Sequence, residues 1–521
     1  MQPSLDMCRL TALKLVASAL VVLLTGCATL QQRALSSPPP PLNRSVEEQS
    51  CIDWLASLDA AIAETGVGDA EAVRLPDFPH LRMNRFLASF RDELDSQQKW
   101  AAWLQRLTKL GAQRRGVEIA NLPAAAVTRL ATDRAAALSR MRACGELLAS
   151  ADLASPARLA ILRSRAMVPD SYSFLQRAVG IYPLAKIPFL SGVRAWQSNT
   201  LEAFARMRLV SLQGDRWQEY ALAQIEDISQ HASANLQSIP RDALGIPLMS
   251  AKALDALSQL HAPIFNVETT GAVDKFGRLN APPHLKNYLQ NSPEMPVDIA
   301  SPAIYVRQDF TRYGKATLLQ LTYTLWFPER PADHLLDLLS GRLDGVMVRL
   351  TFAPNGEIVL VDSAHACGCY HLFFPVAEAI ARPAPTTLEE WAFVPDKLPQ
   401  IEIGQRLRVW LASRTHYLVW LDAAPPSPLA RRFSLAANEA LLSAGQADVG
   451  GAMTTHSLYQ PNGLVAGSDR GERFLFWPMG IASAGQMRQW GHHATAFVGR
   501  RYFDDAHLIE KYFDIKSLLA K

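Results

Sequence analysis

The stretch Asp362-Ser363-Ala364-His365-Ala366-Cys367-Gly368-Cys369-Tyr370-His371 places two cysteines and two histidines within seven residues. The whole 521-residue chain holds only six cysteines and twelve histidines, so the local density is unusual. Thiolate and imidazole are the side chains that zinc prefers, and thiolates also suit copper(I). A straight strand would put His365, Cys367, Cys369 and His371 on one face but spread them over about 20 Å, too far apart to surround one ion. Gly368 lacks a Cβ and permits a sharp reversal, which could draw two or three of the four together. The spacing matches neither the C-x2-4-C and H-x3-5-H of zinc fingers nor the C-x-x-C-H of haem attachment.

Three chemistries compete at this turn. Cys367 and Cys369 could bind zinc or copper with His365 or His371. A cysteine activated by a neighbouring imidazole could act as a nucleophile or redox thiol. The turn could also simply carry buried cysteines, or a strained and easily reduced Cys-x-Cys disulfide. A second polar cluster lies further on, with Arg488, His492, His493, Arg500, Arg501 and Asp504 around Trp490, followed by Asp505 and His507. His492 and His493 are adjacent and point apart in either regular structure, so a solvated surface around a packed Trp490 is expected, with one histidine available to complete a site at the turn.

The elements that must position these residues are legible from periodicity. Val346–Phe352 and Ile358–Asp362 flank Pro354-Asn355-Gly356, a hairpin signal, and the second strand runs into the Cys-Gly-Cys turn. Leu319, Leu321, Tyr323 and Leu325 alternate with polar neighbours after a strand near Ala303–Asp309, with Tyr313-Gly314 between them. Arg406–Ala412 and His416–Leu421 suggest another hairpin, and Glu472–Trp477 a buried strand. Upstream the period is helical. Ser45 and Glu48 form a capping-box pattern, Cys51, Leu55, Leu58 and Ile62 make one stripe, and Gly66 stops it. Leu130, Ala137, Met141, Cys144 and Leu148 make a second stripe, and Leu222, Ile225, Ile228 and Leu236 a third. Val179–Leu190 is apolar but interrupted by Pro183 and Pro188. A buried crossover is expected there, with an exposed patch touching lipid or a partner as the alternative. The fold class is α+β: an N-terminal helical bundle over 45–260, then a mainly antiparallel sheet domain with flanking helices over 261–521.

The N-terminus adds a location. Arg9 and Lys14 precede the apolar run Leu15 to Leu24, about half the ~20 residues a spanning helix needs, and the run ends in Leu24-Thr25-Gly26-Cys27. These first thirty residues resemble the lipobox signal of bacterial lipoproteins. The resemblance implies that 1–26 is a signal peptide, that Cys27 carries the acyl chains, and that the protein sits in the cell envelope. In that family an Asp after the cysteine is the usual signal for retention in the inner membrane; Ala28 stands here, which implies outer-membrane sorting, facing the periplasm. Residues 27–44, with four prolines from Pro38 to Pro41, form an extended tether. Disulfides persist in that compartment, and with Cys27 acylated, Cys51 and Cys144 are expected to be bonded.

Composition sets outer limits. Hydrophobic residues make up 49% and charged residues 19% of the chain, enough to build more than one core. Net charge is +3, too even for a phosphate-backbone partner, so nucleic acid is not expected. Neither a Gly-rich phosphate loop nor a GxSxG elbow occurs. The reading that follows is a lipid-anchored envelope protein whose C-terminal domain binds something, an envelope protein partner among the candidates. The alternative is an envelope enzyme, either a metal-dependent hydrolase or a thiol oxidoreductase.

Overall fold

Ser45 caps the first helix as its spacing to Glu48 predicts, its hydroxyl accepting from the Glu48 amide at 3.2 Å. That helix, α1 (Val46–Thr65), buries Leu55, Leu58 and Ile62 and ends at Gly66 in the left-handed conformation. The computed structural model describes residues 42–209, 216–223, 236–279, 296–447 and 453–519. Cys27, Ile225, Ile228 and all but the last residues of the tether lie outside the described residues.

Two long helices, α2 (Gln97–Asn121) and α3 (Arg134–Leu153), pack with α1, and α3 turns Ala137, Met141, Cys144 and Leu148 inward. Cys51 and Cys144 face each other across α1 and α3 and are bonded, their Cα atoms 5.3 Å apart. A short hairpin, Val73–Leu75 with Phe78–Met83, lies against α2. Beyond a further helix (Pro156–Arg165) come α4 (Phe174–Val179) and α5 (Tyr182–Leu209). The apolar Val179–Leu190 stretch is therefore the start of a long helix and not a buried crossover. Pro183 sits in its first turn, where proline costs no hydrogen bond, and Pro188 is accommodated inside it. Val179, Ile181, Leu184 and Ile187 are all exposed.

One ten-stranded sheet organises the rest. Its strands in chain order are β1 (Trp217–Leu222), β2 (Ile264–Glu268), β3 (Ala303–Tyr313), β4 (Ala316–Arg330), β5 (Gly341–Phe352), β6 (Ile358–His365), β7 (Leu372–Pro375), β8 (Arg406–Leu411), β9 (Leu418–Ala424) and β10 (Arg431–Ala437). Across the sheet the order is β7-β6-β5-β4-β3-β10-β1-β2-β8-β9. Pairing is antiparallel except where β10 meets β3 and β1 and where β2 meets β8. The fold is thus α+β, with the expected hairpins: β3 with β4, β5 with β6 around a positive-φ Gly356, and β8 with β9. Leu222 ends a strand and does not belong to a helical stripe; β1 is held by its pairing with β10 and β2. The main core forms on one face of the sheet, where Phe204 of α5 meets Tyr323, Val348, Val361 and Phe374.

The third departure is Glu472–Trp477, which forms a short helix (Arg473–Phe476) where a buried strand was expected. Its backbone bonds run locally, Phe476 N to Glu472 O at 2.8 Å, and Phe474 is 72% exposed. Among the described residues no strand pairs with it, and the local turn takes its amides.

Candidate functional site

β6 lies between β5 and β7, so every residue from Val359 to His365 is buried. A charged group at such a position must be paired. Asp362 lies opposite Arg349 on β5, and the guanidinium holds both carboxylate oxygens, Nε to Oδ1 at 2.9 Å and Nη2 to Oδ2 at 2.5 Å. His371 Nε2 completes the group, 2.9 Å from Asp362 Oδ2. Burial alone would raise the Asp362 carboxyl, but Arg349 and His371 pull it below its ordinary range. Burial pushes His371 down to about 3 against the pull of Asp362, so the ring is neutral. An ionised carboxylate only accepts, hence Nε2 carries the ring proton and Nδ1 presents a lone pair. That Nδ1 is buried with no hydrogen-bond partner among the described residues.

The reversal falls where Gly368 predicts it. His365 N donates to Cys369 O at 3.0 Å and Gly368 N to His365 O at 2.7 Å, with Gly368 at φ +95°. A Cβ on Gly368 would stand 2.5 Å from the Ala494 carbonyl oxygen, so the turn is pressed directly against the 494 backbone. Cys367 and Cys369 are both buried free thiols. The hydrogen bond with Cys367, reinforced by burial, holds the Cys369 thiol well above its ordinary value. It is a protonated donor and not the thiolate that metals or disulfide exchange require.

The four residues singled out by spacing do not converge. His365 Nδ1 is 3.5 Å from Asp344 on β5, a carboxylate it shares with His416 Nδ1 at 2.7 Å and Arg470 Nη2 at 3.5 Å. His371 belongs to Asp362 instead. Among the described residues no group of three or more His, Cys, Asp or Glu side chains is arranged to hold a metal ion. Of the three readings of this turn, zinc or copper binding finds no such group among the described residues; His365 and His371 are paired with two different carboxylates.

What the turn does form is the floor of a cavity of about 550 Å³. Gly368, Cys369, Tyr370 and His371 lie on one side. Opposite are Pro188, Phe189, Val193 and Trp196 of α5, with Leu475 and Phe476 of the short helix and Phe497 closing the wall. Trp196 packs against Tyr370 and Phe393, each with ring centres 5.5 Å apart. Tyr417 also lines the cavity and stacks edge-on to Tyr370 at 4.6 Å, while its hydroxyl accepts from Arg330 Nη2 at 3.2 Å. Two carboxyls border the space. Glu390 accepts from the Phe497 and Val498 amides at 2.6 and 2.8 Å, and burial raises it. Glu472 is pushed up to about 7 by burial, against Arg470 and Arg330. Arg501 is committed to Thr495 and the Trp391 carbonyl.

The second polar cluster is mostly buried and, Arg501 apart, stands outside this cavity; Arg500 and His507 keep the expected exposure. Arg488 is buried and donates to the Ala482 and Ser483 carbonyls, the latter at 2.7 Å. His492 Nε2 lies 2.8 Å from Ala70 O, and His493 is buried and held neutral by that burial. Asp504 pairs with Arg85 at 2.9 Å. These residues join the N-terminal segment to the C-terminal region: structural ties in place of the expected surface. Sequence reasoning missed Glu472, Glu390, Tyr417 and Asp344, which come from segments far apart in the chain. A glutamate inside Arg470–Trp477, between aromatic residues, was the one available signal.

Comparison of the chain with protein-family models, with curated proteins and with solved structures finds no match. Among the described residues no helix is long and apolar enough to cross a membrane.

Proposed function

We propose that the chain is a lipid-anchored envelope protein, attached through Cys27, that holds an amphipathic small molecule in the cavity above the Cys-Gly-Cys turn. The observation that carries this reading is the cavity itself. At about 550 Å³ it falls within the ~300–1,000 Å³ typical of small-molecule sites, and its walls are mainly aromatic and aliphatic with a few polar residues among them. An apolar chain fits against Phe189, Val193, Trp196 and Phe497. Polar residues on the lining include Gln197, Glu472, Thr495 and Arg501. Both nearby guanidinium groups are already committed, Arg501 to Thr495 and Arg330 to Tyr417, so an uncharged hydroxyl-type head is favoured over an acid.

Binding of a fluorescent long-chain alcohol, with displacement by a monoacylglycerol, tests the cavity. Val193→Trp places an indole in the space and is expected to weaken binding at least tenfold, about 1.4 kcal/mol, with little change in Tm. Unaltered probe affinity in that variant refutes the cavity reading. The anchor is checked separately by intact mass: the mature chain should begin at Cys27 with added acyl mass, which Cys27→Ser should abolish.

A further inference from the structure

The apolar surface of this protein is concentrated around the mouth of the cavity. Of the 22 large apolar side chains exposed among the described residues, twelve lie in three short segments: six from Phe174 to Ile187, three from Leu335 to Leu338 and three from Phe474 to Trp477. The segments are contiguous. Gly180 packs onto Pro478, Arg177 Nε donates to Met479 O at 2.8 Å, Phe189 meets Phe476 with ring centres 5.2 Å apart, and Glu472 N donates to Leu338 O at 2.9 Å. Leu475 belongs to both structures, being 56% exposed and part of the cavity wall, so the cavity reaches the surface inside this apolar ring.

Charge identifies the occupant. Between Asp170 and Glu202 the chain carries Arg177, Lys186 and Arg194 and no carboxylate. Arg177 is spent on the Met479 and Gly499 carbonyls, which leaves Lys186 and Arg194 as cations without an ion-pair partner among the described residues. On the other two segments Asp333 pairs with Arg414 and Asp469 with Arg473, while Asp337 accepts the Asp333 and Leu339 amides and keeps its charge, one such carboxylate against two cations. Exposed Phe, Leu, Ile and Trp side chains with unpaired basic residues beside them suit an interfacial helix on anionic lipid. Two free cations facing a protein partner would each need a matching carboxylate; a surface of lipid phosphates supplies them anywhere.

We propose that the α4–α5 start, the 335–338 loop and the 474–477 turn seat the folded body on an anionic lipid surface with the cavity mouth toward the bilayer. A membrane-dissolved molecule would then enter without crossing water. That route rests on the reading of the cavity above, whereas the docking itself does not.

The test uses the full chain carrying Leu184→Cys or Leu335→Cys, labelled with an environment-sensitive NBD group, with Leu147→Cys on α3 as control and the unsubstituted parent as blank. The native thiols in the described body are bonded or buried, so the new cysteine takes the label. Reconstitution into phosphatidylcholine vesicles with and without phosphatidylglycerol should give blue-shifted, several-fold brighter emission at 184 and 335, stronger with phosphatidylglycerol, and none at 147. Water-like emission at 184 and 335 on every vesicle, or an equal response at 147, overturns docking, and an equal response on neutral vesicles overturns the anionic surface. The same shift without vesicles, accompanied by dimer on sedimentation, makes a second copy the occupant and also overturns it. Probe binding measured without vesicles separates this outcome from failure of the cavity reading.

Discussion

Glu472 carries a carboxyl whose proton the folded state retains. It is 5% exposed, and burial pushes it up to about 7 even with Arg470 and Arg330 pulling it down. In the unfolded chain the same group titrates near 4.5. Between those two values the folded protein binds the proton that the unfolded chain has released, so its contribution to stability falls as pH rises through the window. Above pH 7 the cost is complete. At ~1.4 kcal/mol for each tenfold change in the protonation equilibrium, it amounts to about 3 kcal/mol. Glu472→Gln keeps the shape and removes the ionisation, so it should stabilise the protein by up to about 3 kcal/mol at pH 8 and by well under half of that at pH 4.5. Asp69 is also raised, to about 6, but it titrates in parent and variant alike and cancels in the comparison. Urea unfolding read by tryptophan emission at the two pH values gives the difference. An equal gain at both, or a loss at pH 8, refutes the claim that burial holds this carboxyl protonated. The same variant tests the site, because a ligand head bonded to neutral Glu472 should bind it with less dependence on pH between 6 and 8 than it binds the parent.

Three further outcomes follow from the geometry. Cys51→Ser with Cys144→Ser opens a loop spanning 93 residues and should lower stability by up to ~4–5 kcal/mol on the chain-entropy estimate, seen as a fall in Tm without loss of probe binding. Gly368→Ala forces a Cβ to 2.5 Å from the Ala494 carbonyl at a φ of +95°, so it should cost at least the ~1 kcal/mol of left-handed backbone strain and also disturb probe binding at the floor. Arg349→Met leaves the Asp362 carboxylate buried with His371 as its remaining side-chain partner. A loss of about 3–5 kcal/mol in urea unfolding is expected, and a loss below 1 kcal/mol would show that His371 alone satisfies it.

Local signals transferred well from sequence to structure. The Ser45 cap, the Gly66 stop and the Asn355-Gly356 hairpin each depend on residues a few positions apart, and the Cys51–Cys144 bond needed only two correctly phased helical stripes. Leu222 shows the limit. Apolar residues at 222, 225, 228 and 236 satisfy helical spacing, yet Trp217–Leu222 is a strand because β10 and β2, more than forty residues away in the chain, supply its backbone partners. The Val179–Leu190 stretch failed differently. Its prolines suggested interruption, but one falls in a first turn and the other is tolerated within an exposed helix, so composition alone did not decide between helix and crossover.

The histidines at 365 and 371 show why a dense ligand-type cluster need not be a metal centre. A sheet strand buried on both faces must satisfy every polar side chain it carries, and in an antiparallel ladder the nearest partners are side chains on the flanking strands. Asp362 found Arg349 directly across the ladder and His371 beyond the turn; His365 found Asp344 on the same neighbouring strand. Each imidazole thereby commits one nitrogen to a carboxylate, and each leaves the other, His365 Nε2 and His371 Nδ1, buried and without a hydrogen-bond partner among the described residues. Such atoms are costly to leave bare, by about 1–3 kcal/mol apiece. Of the two histidines only His371 belongs to the cavity lining. Its pairing with Asp362 fixes the tautomer, proton on Nε2 and lone pair on Nδ1, and burial keeps the ring neutral, so the floor of the cavity is held in one orientation without a charge.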